Sequence, residues 1–216
     1  MPHSPTSVFP VVLDLQIPAG MLGPDPVTAD VHCFLVPHRS GVLLVDTGTP
    51  GSETALTAGL AYIGAGWSDV TDVVLTHAHF DHTAGLPQVL ALAPAARVWA
   101  GADDIPGVDA GERAVVAMKD GDHLRSLTVL TTPGHTPGHL SLLDEAASLL
   151  LVGDLVGALD GTLSRAPAVF TADAATADES LRRVARLDVN RVLFSHGGEL
   201  ADGPAALKVL ADHSAA

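Results

Sequence analysis

Residues 76–82 read Thr-His-Ala-His-Phe-Asp-His, directly after the apolar run Val73-Val74-Leu75. Side chains along a strand alternate with period two, so His77 and His79 point the same way where the strand ends. Asp81 and His82 then take a new direction as a helix starts. Four potential ligands in so short a segment have no packing rationale beside an apolar strand. The segment reads as a metal site able to serve two adjacent ions. Imidazole and carboxylate without thiolate suit zinc, iron or manganese.

On either side of this segment, apolar runs alternate with turn residues and helical periodicity. Strands are expected over 11–17, 32–36, 41–46, 71–77, 96–100, 127–133, 139–144, 148–154 and 190–196. Helices are expected after Ser52, over 83–94 with Pro87 in the first turn, over 175–187, and over 203–213 starting with Pro204. Residues 101–126 are polar, acidic and glycine-bearing and give no clear element. Strand blocks alternating with helices define an α/β architecture. The two halves are also alike: GVLLVDTG, a helix and TDVVLTHAH parallel SLLLVGDL, a helix and NRVLFSHGG. In each, a buried strand runs to an aspartate, a helix crosses over, and the next strand runs to a histidine. Two such halves facing each other gather Asp46, His77, His79, Asp81, His82, His135, Asp154 and His196 at one edge, where ligand sites of layered α/β proteins fall.

The other histidines read differently. His3, His38, His123 and His213 are expected to be surface or capping groups, and His32 is assigned the same way. Cys33, the lone cysteine, lies among apolar residues and reads as a buried, inert thiol, with no disulfide framework and no thiolate cluster. The 216 residues, 47% of them hydrophobic, suit a single domain spanning 1–216 with a substantial core. A formal net charge of -14 repels phosphate backbones and anionic lipid, which argues against nucleic acid and membrane surfaces as partners. No secretory signal and no membrane-spanning apolar run is evident, so a cytoplasmic protein acting on a small molecule is expected. Oligomeric state has no signature in the sequence.

Taken together, these motifs resemble the metallo-β-lactamase superfamily. THAHFDH matches its HxHxDH signature, and LLVDTG (43–48), PGHTPGH (133–139), LLVGD (150–154) and FSHGG (194–198) look like its other motifs in the expected order. The resemblance covers about residues 31–198. It implies the four-layer αβ/βα sandwich, two mixed sheets flanked by helices. It also implies one metal held by His77, His79 and His135, a second held by Asp81, His82 and His196, and Asp154 bridging them. Asp46 and His139 would fix ligand histidines by hydrogen bonds. The cofactor expected is a pair of divalent ions, zinc first, with iron or manganese as alternatives. Two metals about 3.5–4 Å apart can share a hydroxide formed near neutral pH. That hydroxide would attack the carbonyl of a small ester, thioester or lactone, with Asp81 orienting it and passing its proton to the leaving group, and with Asp154 as the second catalytic carboxylate.

The same motifs narrow the substrate. A bridging Asp154 resembles the glyoxalase II and lactonase branch rather than the true β-lactamases. Glyoxalase II relatives carry a Lys/Tyr pair after that aspartate, whereas here Arg165 is the cation of the segment. Quorum-signal lactonases place a tyrosine three residues on, and this chain has Gly157. The stretch 155–175 is therefore the expected substrate-facing segment. Within it, Leu155, Val156, Leu163, Val169 and Phe170 either line an apolar pocket or belong to the core, with core favoured for each, and Tyr62 is assigned a core role in its helix. Two other functions compete: a mononuclear-iron dioxygenase acting on a persulfide-type substrate, and a binding protein with a residual site. The second would require lost ligands. Nuclease activity fits neither the length nor the charge.

Overall fold

The computed structural model describes residues 8–21, 23–159 and 161–213; His3 lies outside them. In chain order the elements are β1 (Phe9–Ile17), β2 (Val27–His38), β3 (Gly41–Val45), α1 (Glu53–Tyr62), β4 (Val70–Leu75), α2 (Phe80–Thr83), α3 (Leu86–Leu92), β5 (Arg97–Gly101), β6 (Val115–Met118), β7 (His123–Leu124), β8 (Leu127–Thr131), β9 (Leu140–Asp144), β10 (Leu149–Leu151), β11 (Val156–Leu159), β12 (Thr162–Arg165), α4 (Ala174–Val184), β13 (Arg191–Leu193) and α5 (Gly203–Asp212).

Strands β1 to β6 form one sheet in sequence order, and a second sheet runs β13-β10-β9-β8-β7. Both are mixed. The first opens with antiparallel β1-β2-β3 and continues with parallel β3-β4-β5-β6. In the second, β10 pairs parallel with β13 and antiparallel with β9. The resemblance between the halves is structural: β3-α1-β4 and β10-α4-β13 each join a parallel pair through a helix, as parallel strands require. The hairpin β11-β12 is inserted in the second unit.

The layering follows from alternation along the strands. Val31, Cys33 and Leu35 of β2, with Val42 and Leu44 of β3, pack in one core with Leu56 and Leu60 of α1 and Leu86 and Val89 of α3. The intervening Phe34, Val36, Leu43 and Val45 face the other way and meet Leu140, Leu142, Leu149 and Leu151 of the second sheet. Leu150 of β10 points to a third core with Leu181 and Val184 of α4 and Leu207 of α5. Three apolar layers between helix, sheet, sheet and helix make the four-layer αβ/βα sandwich. Strands buried on both faces explain why their sequences read as continuous apolar runs. Among the described residues, no helix is long and apolar enough to cross a membrane.

Two core assignments are corrected. Tyr62, the last residue of α1, is 82% exposed and makes an edge contact with Phe9 at 6.2 Å. Val169 is 67% exposed on a short turn, whereas Leu155 and Val156 are buried as expected. Cys33 is fully buried, and burial pushes its thiol well above the usual range. Residues 101–126 hold a 3-10 turn (Ala102–Gly107) and the short strands β6 and β7.

Early in β4, away from the histidines, Asp72 ties the sheets together. Its buried carboxylate accepts from Thr71 Oγ1 (2.8 Å), Trp99 Nε1 and Arg97 (both 3.0 Å), and from Arg125 Nε (2.8 Å) in the turn between β7 and β8. Burial alone would raise its pKa, but the hydrogen bonds from Arg125, Thr71 and Trp99 outweigh it and hold the pKa below the usual 3.8. A depressed folded pKa contributes stability above the unfolded value that is lost as pH falls through the folded one. Asp72→Asn is therefore expected to cost about 2–3 kcal/mol near neutral pH. Urea unfolding should show the gap to wild type closing in acid; a gap independent of pH would contradict the assignment.

Candidate metal centre

The seven expected ligands converge, although from loops just past the strands rather than from strand ends. His77 follows β4, and His79 precedes the first turn of α2, which carries Asp81 and His82. His135 lies in the turn between β8 and β9, Asp154 in a 3-10 turn after β10, and His196 just after β13. Potential ligand atoms of His77, His79 and His135 lie within 4.8 Å of one another, as do those of Asp81, His82 and His196. A third group joins His77, His82 and Asp154, so Asp154 stands with one histidine from each set. Its carboxylate lies 3.7 Å from His77 Nε2, 3.5 Å from His82 Nε2, 3.5 Å from His135 Nε2 and 3.2 Å from His196 Nε2.

The supporting hydrogen bonds fix which ring nitrogens face inward. Asp46 accepts from the backbone N–H of Thr76 and from its hydroxyl, both at 2.7 Å, and from His82 Nδ1 at 2.9 Å. Because the Thr76 hydroxyl donates to Asp46, it accepts from His77 Nδ1 at 3.1 Å. One buried carboxylate thus assigns Nδ1–H to both His77 and His82 and turns each Nε2 lone pair toward Asp154. Asp46 holds φ 59° to do so, a left-handed conformation that aspartate tolerates better than most residues. His196 is set the same way, with Nδ1 donating to the carbonyl of Asp30 at 2.5 Å.

His139 departs from expectation. It accepts at Nε2 from the Asp154 backbone N–H (3.0 Å), and its Nδ1 bonds Thr132 Oγ1 (2.9 Å). It therefore positions the backbone of Asp154 instead of a ligand histidine. Gly153 makes room for this contact: at φ +64°, a Cβ there would sit 2.6 Å from His139 Nε2. His32 is buried rather than at the surface, bonds Asp30 at 2.9 Å and, among the described residues, joins no ligand group. Asp30 and Asp104 were missed from the sequence. Asp30 also accepts from Gly197 N–H (3.0 Å), and Asp104 accepts from loop amides on both sides of the first histidine set. Carboxylates bonded to backbone amides leave no spacing pattern to find.

The donor set fits divalent metal. His77 Nε2, His82 Nε2 and Asp154 Oδ1 are buried without a hydrogen-bond partner, a costly state that a cation would relieve. The charges agree. Burial disfavours charge on His196, yet Asp154 and Asp81 outweigh it and raise its pKa to about 10. His82 is likewise raised against burial by Asp154 and Asp46. Burial lowers His135 to about 4, leaving a neutral imidazole. The carboxylates demand positive charge here, and the neutral His135 ring is bonded through Nε2 to His79 Nδ1 at 3.0 Å.

The family model of the metallo-beta-lactamase superfamily matches residues 28–196. The chain belongs to that superfamily. A hydroxyacylglutathione hydrolase from Methylobacterium nodulans is 36% identical over 138 residues, covering 62% of this chain and 46% of that protein. The chain spans between 46% and 63% of the length of the curated relatives it matches first. Among solved structures, a metallo-beta-lactamase family protein from Thermus thermophilus, TTHA1429, shares the fold with TM-score 0.71 and 24% identity, over 94% of this chain and 78% of that one. TTHA1623, crystallised in a di-iron-bound form, has TM-score 0.67 and 26% identity over 91% of this chain and 96% of its own.

Proposed function

We propose that this protein is a metal-dependent hydrolase that cleaves a small ester, thioester or lactone with two divalent ions, zinc foremost. The observation that carries the reading is the Asp154 carboxylate, within 3.7 Å of an imidazole nitrogen on each of His77, His82, His135 and His196. His77, His79 and His135 would hold one ion, and Asp81, His82 and His196 the other, with Asp154 shared. Bound there, such ions supply an activated water near neutral pH and a Lewis acid for a carbonyl oxygen.

The chain's own residues determine how substrate meets them. The side chains of His77 and His82 are fully buried, whereas Asp81 and His196 keep 19% and 20% of theirs exposed. His79 is also only partly buried, so substrate approaches across the face that His79, Asp81 and His196 share. Asp81 faces His196 Nε2 at 3.3 Å through Oδ2 and is the carboxylate best placed to take a proton from water and return it to the leaving group. Asp46 and Asp30 hold the His82 and His196 rings while this happens.

Arg165, the cation of the segment after Asp154, is engaged by Asp178 at 2.6 Å and by the carbonyls of Leu210 and His213. That supports a small substrate without an anionic handle over a glutathione conjugate. The net charge of -14 supports a small-molecule partner over nucleic acid or membrane. The lone buried Cys33 is in keeping with a cytoplasmic setting.

The test is a panel of short esters, thioesters, lactones and persulfides assayed with metal-loaded protein while dissolved oxygen is monitored. Turnover of carbonyl substrates without oxygen uptake is expected. Oxygen consumption with a persulfide would overturn the reading.

A further inference from the structure

We propose that Asp104 is a positioning residue that sets the affinity of one of the two metal positions, the one formed by His77, His79 and His135. The inference rests on the metal-centre reading above and adds a division of labour within it. Asp104 lies on the 3-10 turn after β5, in the polar segment where no element was expected, and it is 4% exposed. Its Oδ2 accepts from Ala78 N–H at 2.9 Å and from Thr136 Oγ1 at 2.6 Å, and its Oδ1 accepts from Gly138 N–H at 2.7 Å.

The partners are informative by their place in the chain. Ala78 separates His77 from His79, and Thr136 follows His135. One carboxylate thus clamps the two loops that carry the first histidine set, and none of its three bonds reaches the loops of His82 or His196. Asp46 bonds His82 and, through the Thr76 hydroxyl, also orients His77, while Asp30 holds His196. The clamp is tight because Gly101 and Gly138 let the backbones meet: a Cβ on Gly101 would fall 1.8 Å from the Gly138 carbonyl oxygen. The geometry brings His135 Nε2 to 3.0 Å from His79 Nδ1, which closes the first histidine set across the two loops.

All three partners are donors, so the acceptor must be a full carboxylate. Asparagine has one acceptor oxygen and would turn its NH2 toward another donor. Asp104→Asn should therefore loosen the relation between the two loops while leaving the second position intact. Loss of an outer hydrogen-bond partner raises the metal dissociation constant about 10- to 100-fold.

The experiment is competitive titration of chelator-stripped protein with Zn2+ in two backgrounds. In His196→Ala, which keeps the first set, adding Asp104→Asn should raise the dissociation constant by that factor. In His135→Ala, which keeps the second set, it should change it less than about twofold. Thr136→Val, which removes one of the three bonds, serves if Asp104→Asn does not fold, and Thr136→Ser should restore wild-type affinity. Equal weakening in both backgrounds would reduce Asp104 to a general structural role and overturn the inference, as would no weakening in either. Wild-type protein that binds no Zn2+ would overturn the metal-centre reading as well.

Discussion

Asp154→Asn is expected to lose metal and most activity together. The substitution preserves shape but removes the negative charge from a site surrounded by four imidazoles within 3.7 Å. It replaces an oxygen with an amide NH2, which cannot accept from a protonated ring or donate a lone pair to a cation. Asp154 leads the influences that raise His196 and His82 against burial, so both rings lose much of their affinity for positive charge. His139→Ala is the matched control. It deletes the acceptor for the Asp154 backbone N–H but leaves the carboxylate in place. Disturbing a supporting group costs about 10–100-fold in metal affinity or activity, and Asp154→Asn should exceed that range in kcat/KM while His139→Ala stays within it. Metal analysis of the two purified variants should rank them in the same order. Equal metal content would contradict the place given to Asp154.

Stripping the metal should lower thermal stability by a large margin. A cation that binds only the folded chain stabilises it by about 4 kcal/mol when present at 1,000 times its dissociation constant. For a chain of this size, each kcal/mol moves Tm by about 2–4 °C, so a fall of roughly 8–16 °C on chelation is expected. The structure says why the cost falls on folding: the buried Nε2 atoms of His77 and His82 and Oδ1 of Asp154 make no hydrogen bond that would replace the ion. Differential scanning calorimetry with and without chelator, followed by Zn2+ add-back, reads this directly. Asp154→Asn should respond far less, and an unchanged Tm in wild type would mean that the site does not couple metal to folding.

What was legible in the sequence, and what was not, follows from the kind of interaction involved. The ligands stand out because histidine and aspartate beside apolar strands have no packing use, and their order along the chain matched the two structural halves. The α/β class was also legible from strand blocks alternating with helices, while the four layers came from the family resemblance and correspond in the structure to strands buried on both faces. The N-terminal part of β2 was not, because Val27-Thr28-Ala29-Asp30 is a partly exposed, polar stretch held by its pairing with β1. Asp30 and Asp104 escaped notice for a related reason: carboxylates bonded to main-chain groups look like any surface acid until the chain is folded. Tyr62 and Val169 misled in the opposite direction, as large side chains at helix or turn ends where no neighbouring layer covers them.

In the proposed hydrolase, Asp154 joins two triads of ligands into one dinuclear site. Elemental analysis of protein purified without chelator, with metal quantified per chain, is the decisive test. Two divalent ions per chain in wild type is the predicted result. One ion per chain, or none after incubation with Zn2+, would contradict it.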